Sequence, residues 1–486
     1  PISHAQVGRQ SLSDAARPAV RAVRIEASEA PVIDGDLSDP VWAKAAVIDR
    51  LVQTEPDNGK DNSERTVVRI LYDSENLYFG VYAYDHEPDK IVATIKSRDG
   101  ILPKDDFVRV ALDPYKTRRD AYAFEFNPLG SRGDALIQNN SEFLINWNII
   151  WAEKSRFVAD GWTAEVVIPF RNLSFDPNST EWGFDVVRAI KRKAEWDRWG
   201  LAPANVTNFD VAYSGNLTGL TGMTQGTGLD LQVYAGTRYK HQSAGTDDND
   251  VTFHPSGNLY YKITPSLTGT LTVNTDFSDA PLDRRQVNTT RFGLFTQETR
   301  QFFLQDSASF EFGGKEFQQQ MENGRPFFSR NIGLVSGYPV SILGGGKLSG
   351  DFEGINIGAL TAQTNGTDTT DGQLLSVARM TVPVFSESKI GVIGTNGDPT
   401  GKTKNSLGGV DFQFRDSNFL TAGKRFLSDD YFVRSFSNTK GDDNAYGGSL
   451  QYPNEPWLGE VYYKHIGQNF APALGFVNRT GINEYR

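Results

Sequence analysis

The sequence predicts an all-β protein: an N-terminal β-sandwich followed by a C-terminal antiparallel transmembrane β-barrel, incomplete in this chain. Three observations predict it. Short apolar runs separated by turn residues fill the first part. Alternation of apolar and polar residues dominates the second. Composition shifts between them: 11 of the 47 Gly precede residue 217, whereas seven of the 8 Trp do.

The bulk numbers narrow the classes further. The chain has 486 residues, a formal charge of −11 and no Cys. Without Cys there is no disulfide framework, no thiolate metal site and no thiol nucleophile. Wrapping nucleic acid needs clustered Lys and Arg, so an acidic chain makes nucleic acid an unsuitable partner. No run of about 18 apolar residues occurs, which removes membrane helices but leaves barrels open. The chain begins at Pro1 without an apolar leader, as a processed chain would. Residues 1–20 are small and polar and read as a flexible lead.

Residues 21–215 form the expected sandwich. Strand-like runs fall at 66–71, 77–84, 107–112, 121–126, 162–168 and 182–189. Turn residues separate them, as in Asp73-Ser74-Glu75-Asn76, Asp113-Pro114 and Asp176-Pro177-Asn178. One helical turn is expected at Pro40, with Asp39 as its N-cap. Asp34, Asp36 and Asp39, and again Asp105 and Asp106, set carboxylates at short spacing. Hard cations take such oxygens, so Asp34, Asp36, Asp105 and Asp106 are the metal candidates, with calcium the one cofactor considered. Neither spacing fits an EF-hand loop, and turn capping is the competing reading.

Val32-Ile33-Asp34-Gly35-Asp36-Leu37-Ser38-Asp39-Pro40-Val41-Trp42 resembles the opening signature of the family-9 carbohydrate-binding-module-like domain. Leu71-Tyr72-Asp73, Asn76-Leu77-Tyr78, Asp105-Asp106, Asp113-Pro114, Gly161-Trp162 and Ile168-Pro169-Phe170 resemble its later pieces in order. The resemblance covers roughly residues 21–214. It implies binding of a glycan by aromatic faces stacked on a pyranose. The aromatic doublets Trp147/Trp151 and Trp196/Trp199 are the candidates; packing in the core or between domains is the alternative for all four. Trp42 is assigned to the core.

Residues 216–228, rich in Gly and Thr, read as a linker. From 229 to 486 the period is two. Leu229, Leu231 and Val233 alternate with Asp230, Gln232 and Tyr234; Val410, Phe412 and Phe414 alternate with Asp411, Gln413 and Arg415. Long polar connections at 243–249, 365–372 and 395–406 suit the outer side of an outer-membrane barrel. Counting alternating segments gives 11 or 12 strands. The chain stops at Tyr485-Arg486 without a terminal aromatic strand, so either the sequence is truncated or a second chain completes the barrel.

This half also carries a resemblance. Asn274-Thr275-Asp276-Phe277-Ser278, Gln286-Val287-Asn288, Arg291-Phe292, Glu298, Arg300 and Phe302-Phe303-Leu304 resemble the central signature of the uncharacterised outer-membrane barrel family that accompanies the family-9-like domain. Phe327-Phe328-Ser329-Arg330 and the tail Pro472-Ala473-Leu474-Gly475-Phe476-Val477-Asn478 continue it. The segment 274–312 is too charged for a lipid-facing hairpin. Two placements are open: folded into the lumen, with Asp276, Asp283, Arg291, Glu298 and Arg300 as lumen or gating residues, or a periplasmic turn that docks the sandwich.

The expected function is glycan binding, transport or envelope organisation at the Gram-negative outer membrane, with the sandwich in the periplasm. Its expected partners are outer-membrane lipid, a glycan and a second chain. A glycan-acting hydrolase, or an accessory to one, is an alternative, although no catalytic residue stands out and the five His are scattered. A barrel-anchored scaffold or receptor is the other alternative.

Overall fold

The computed structural model describes residues 17–100, 102–203, 206–242, 248–277, 280, 287–288, 291–314, 323–335, 337–366, 370–385, 387–416, 419–421, 424–454 and 456–486. The chain is all-β. Among the described residues the one α-helix is Gln301–Leu304, and no helix is long and apolar enough to cross a membrane. Asp283 and residues 1–16 of the N-terminal lead lie outside the described residues.

Two sheets build the N-terminal half. The larger runs Ala19–Arg21, Gly215–Thr218, Glu181–Ile190, Phe107–Asp113, Ala121–Phe126, Arg132–Gln138 and Glu142–Leu144. The smaller runs Ala152–Val158, Gly161–Pro169, Asn76–Tyr84, Thr66–Tyr72 and Val23–Arg24. Their inner faces share one core, in which Val68, Ile70, Phe79 and Val81 meet Val108, Phe124, Phe184 and Val186. Phe79 and Phe184 stack across it at 5.6 Å. This is a sandwich, as the run spacing predicts. The Pro40 turn is a 3-10 helix, Pro40–Lys44, with Asp39 at its N-cap. There the Asp39 carboxylate accepts the Val32 N–H rather than one from its own helix.

The stretch 216–228 is only in part a connection. Gly215–Thr218 is a strand between Ala19–Arg21 and Glu181–Ile190, and Leu217 and Leu220 are buried in the sandwich core. Burial of those two leucines holds the start of the expected linker inside the domain.

The C-terminal half is one twelve-stranded antiparallel sheet in chain order: Leu229–Gln242, Asp248–Thr264, Leu267–Thr275, Ile342–Phe352, Ile355–Thr364, Leu374–Val384, Ser388–Asn396, Asn405–Asp416, Phe426–Ser437, Asp443–Pro453, Leu458–Ile466 and Ile482–Tyr485. The first and last strands each have one neighbour, so among the described residues the sheet is not closed. The long excursion between Leu267–Thr275 and Ile342–Phe352, two strands that pair directly, leaves the sheet and returns to it. That excursion forms the site described next.

Candidate functional site

The two faces of the sheet differ in burial. Leu231, Val233, Leu271, Val273, Val410 and Phe432 are exposed, Val233 to 73%. The opposite face buries polar side chains, among them Thr272, Arg379, Asp411, Gln413, Arg415 and Asp429, beside apolar ones such as Ile393, Tyr431 and Val433. Asp430 and Arg434 interrupt the apolar face on Phe426–Ser437. Asp430 bonds the Ser428 hydroxyl, and Arg434 pairs with Asp442 beyond the strand end.

The buried polar face is organised by ion pairs. Arg379 grips Asp411 with two bonds of 2.6 and 3.0 Å, and both side chains are sealed from solvent. Arg379 reaches Asp411 from two strands away because Gly391 lies between; a Cβ there would stand 2.3 Å from the guanidinium. Arg415 pairs with Asp429 at 2.6 Å. Glycine therefore supplies the room that buried arginine needs in this sheet.

A segment of the excursion, residues 298–314, covers this face. Glu311 accepts from Lys389 at 3.1 Å, and its backbone carbonyl accepts from Arg379 Nε. The Gly313 N–H donates to Asp411. Lys347 Nζ donates to the carbonyls of Phe302 and Gln305. Phe302, Phe303 and Phe310 pack with Leu360, Leu375 and Val377 from the sheet.

The same segment holds the sandwich. Gln138 donates to the Ser307 hydroxyl, and Trp147 Nε1 donates to Gln305. Gln301 and the 146–148 loop exchange two bonds. Leu304 is buried in the sandwich core. Segment 298–314 thus contacts both the sandwich and the face of the sheet that buries charges.

Glu298 and Arg300 tie the segment together. Arg300 donates to both carboxylate oxygens of Glu298 and to the carbonyls of Ser329 and Ile332. Phe277 and Phe303 cover its guanidinium at 4.1 and 4.2 Å. Burial works to raise the Glu298 carboxyl, but the Arg300 charge and hydrogen bonds, with the Ser329 hydroxyl, bring it to about 2. Asp276 instead faces His254 at 3.4 Å, and Arg291 lies over Phe292. The signature pieces quoted from separate parts of the sequence meet here: Phe328 N–H bonds the Leu474 carbonyl, and Asn331 bonds Ala473 and Gly475.

In the sandwich the candidate tryptophans are mostly interior. Trp147 and Trp151 pack on Phe124, and Trp199 on Phe184. Trp196 is half-buried, edge-on to Phe107. The side chains that pack at strand level leave no ring face of Trp147 or Trp151 open to a sugar. Sequence reasoning missed a more accessible pair. Tyr82 and Tyr84, half-buried on Asn76–Tyr84, stack at 4.0 Å beside Arg65 and Asp160. The signal was present in Val81-Tyr82-Ala83-Tyr84, whose alternation sends both tyrosines to one face.

The metal candidates serve the backbone. Asp34 accepts from Asp36 N–H, and Asp36 from Ser38 N–H and Arg156. Asp105 accepts from Thr94, Ile95 and Asn127. Asp106 accepts from Lys191 N–H, and burial pushes its carboxyl up to about 6. Among the described residues no three His, Asp or Glu side chains converge as a metal would require. Asp34 and Asp36 cap their own turn, whereas Asp105 and Asp106 tie distant segments together.

No family model and no curated protein matches the chain. Solved structures do. A family-9 carbohydrate-binding module from Caldicellulosiruptor kristjanssonii, in complex with glucose, is 16% identical over 41% of this chain and 95% of its own, with a TM-score of 0.31. The same module in complex with cellotriose gives 18%, 42%, 95% and 0.30. A protein from Bacteroides uniformis, described as a candidate carbohydrate-binding protein, gives 12%, 42%, 99% and 0.35.

Proposed function

We propose that this chain is an outer-membrane protein whose sheet forms the wall of a β-barrel, with a periplasmic sandwich that binds glycan at its surface. One observation carries the membrane reading: the sheet hides charges on one face and exposes aliphatic side chains on the other. In water such an exposed face is a liability; in a bilayer it is the required surface. Asp430 lies toward the end of its strand at which Arg425 meets Tyr213 of the sandwich, where a lipid band would end. The two unpaired sheet edges need partners in lipid, which further strands or a second chain would supply. Glycan binding rests on the family-9-like signature residues and on the accessible Tyr82/Tyr84 pair, since sugar C–H faces pack on aromatic rings.

The test is flotation of the full chain with lipid vesicles. The reading expects it to float and to stay with lipid through alkaline extraction; recovery in the soluble fraction would defeat it. For the sandwich, Tyr82→Ala should lower affinity for a neutral oligosaccharide at least tenfold.

A scaffold or receptor reading has its own support, since segment 298–314 fills the polar face with bonded groups. Conductance separates the two. If the segment gates passage, Glu311→Gln, which loosens Lys389, raises single-channel conductance; if the barrel only anchors, conductance stays at the bilayer baseline.

A further inference from the structure

A cavity of about 260 Å³ lies where the sandwich meets the first strands of the sheet. That is near the lower end of small-ligand sites. Three stretches line it: Arg171 and Asn172 from the sandwich, Lys262 and Thr268 from the sheet, and Gln301 and Gln305 from the bridging segment.

Its donors are undersupplied with acceptors. Lys262 is 5% exposed, and among the described residues its ammonium donates only to the Ser174 hydroxyl, at 3.0 Å. An ammonium carries three donors, so two remain. Thr268 is buried with its hydroxyl unpartnered. The Gln305 side chain spends its oxygen on Trp147, and its amide N–H groups make no bond among the described residues. Arg171 stands exposed at the rim of the cavity. A third cation in the wall, Arg98, is already paired with Asp134; Asp230 is the one carboxylate of the lining, and Asp306 reaches Lys262 only through the Ser174 hydroxyl, which it accepts at 3.2 Å. Buried donors without acceptors are costly, and a charged one more so. An occupant that brings acceptors, one of them anionic, relieves that cost.

We propose that this cavity binds a small hydroxylated carboxylate of the hexuronate class. The carboxylate takes the free donors of Lys262 and the guanidinium of Arg171. The sugar hydroxyls meet Thr268 and the Gln305 amide. A neutral hexose offers Lys262 no charge, so the site discriminates by the acid group. The choice of a sugar skeleton rests on the glycan reading above, whereas the need for an anion rests on the cavity alone.

The experiment is calorimetric titration of the full chain in detergent micelles with D-glucuronate, D-glucose and inorganic phosphate. Glucuronate is expected to bind at least tenfold tighter than glucose and tighter than phosphate. Lys262→Met should weaken glucuronate at least tenfold and leave glucose unchanged. Arg171→Gln, at the exposed rim, should weaken it severalfold, and serves alone if the lysine variant does not fold. No heat with glucuronate, equal binding of glucose, or wild-type affinity in either variant overturns the proposal. Phosphate binding tighter than glucuronate overturns the sugar assignment while keeping an anion site. Neutral-oligosaccharide binding lost in Tyr82→Ala reads the sandwich surface separately, so the two readings fail independently.

Discussion

Asp197 is buried on Glu195–Arg198. Burial first, and the Glu195 carboxylate second, push its pKa up to about 8. The folded state therefore keeps a proton that the unfolded chain releases near the ordinary Asp value, so this group's contribution to stability falls as pH rises from about 4 to about 8. Asp197→Asn should stabilise the protein at pH 8 by about 1–3 kcal/mol and change nothing at pH 4, read by chemical denaturation at both. Glu298 works the other way. Its lowered value adds stability above the ordinary Glu range that is lost as pH falls toward about 2. Arg379→Met leaves Asp411 buried without its cation; a loss of about 3–5 kcal/mol is expected, seen as an earlier unfolding transition. At this scale the sequence was only partly readable. An aromatic doublet such as Trp147/Trp151 reads alike whether its rings face sugar or core, because burial depends on Phe124, a distant strand residue. Glu298 and Arg300 stood out in the sequence as charges in a Phe-rich segment, but their meeting with each other, Ser329 and Phe277 depends on how the excursion folds back.

Strands were the most legible elements. The run 121–126 matches Ala121–Phe126, and 66–71 and 107–112 each fall one residue short of Thr66–Tyr72 and Phe107–Asp113. Period two and turn residues fix these segments locally, with little help from tertiary context. One turn is set by a single glycine. Gly161 has φ +148°, and a Cβ there would lie 2.1 Å from the Ala83 carbonyl oxygen. Gly161→Ala should cost about 1–3 kcal/mol in denaturant unfolding, while a surface change such as Lys154→Ala stays within about 0.5 kcal/mol. The bridging segment was the least legible element. It has neither period, and its conformation is decided by partners on both sides, Trp147 and Asn146 of the sandwich and Asp411 and Lys389 of the sheet. The stretch 216–228 misled for a related reason: Gly and Thr look like a linker until Leu217 and Leu220 find the core.

The whole molecule is two β architectures with different burial patterns. The sandwich buries its apolar faces inward in the ordinary way. The sheet buries Arg379, Asp411, Arg415 and Asp429 and offers its aliphatic residues outward. Alternation made that possibility visible in the sequence, but which face would be hidden could be read only once segment 298–314 was seen on the polar side. The absence of Cys makes the direct test clean, since each introduced thiol is unique. Single cysteines at Val233, Val410, Phe432 and Leu450, and one at Lys402 in a connecting loop, can each carry an environment-sensitive fluorophore in vesicles. The account predicts that the first four are quenched by brominated lipid and spared by aqueous iodide, with the reverse at Lys402. Iodide quenching at the four face positions, with no effect of brominated lipid, would contradict it.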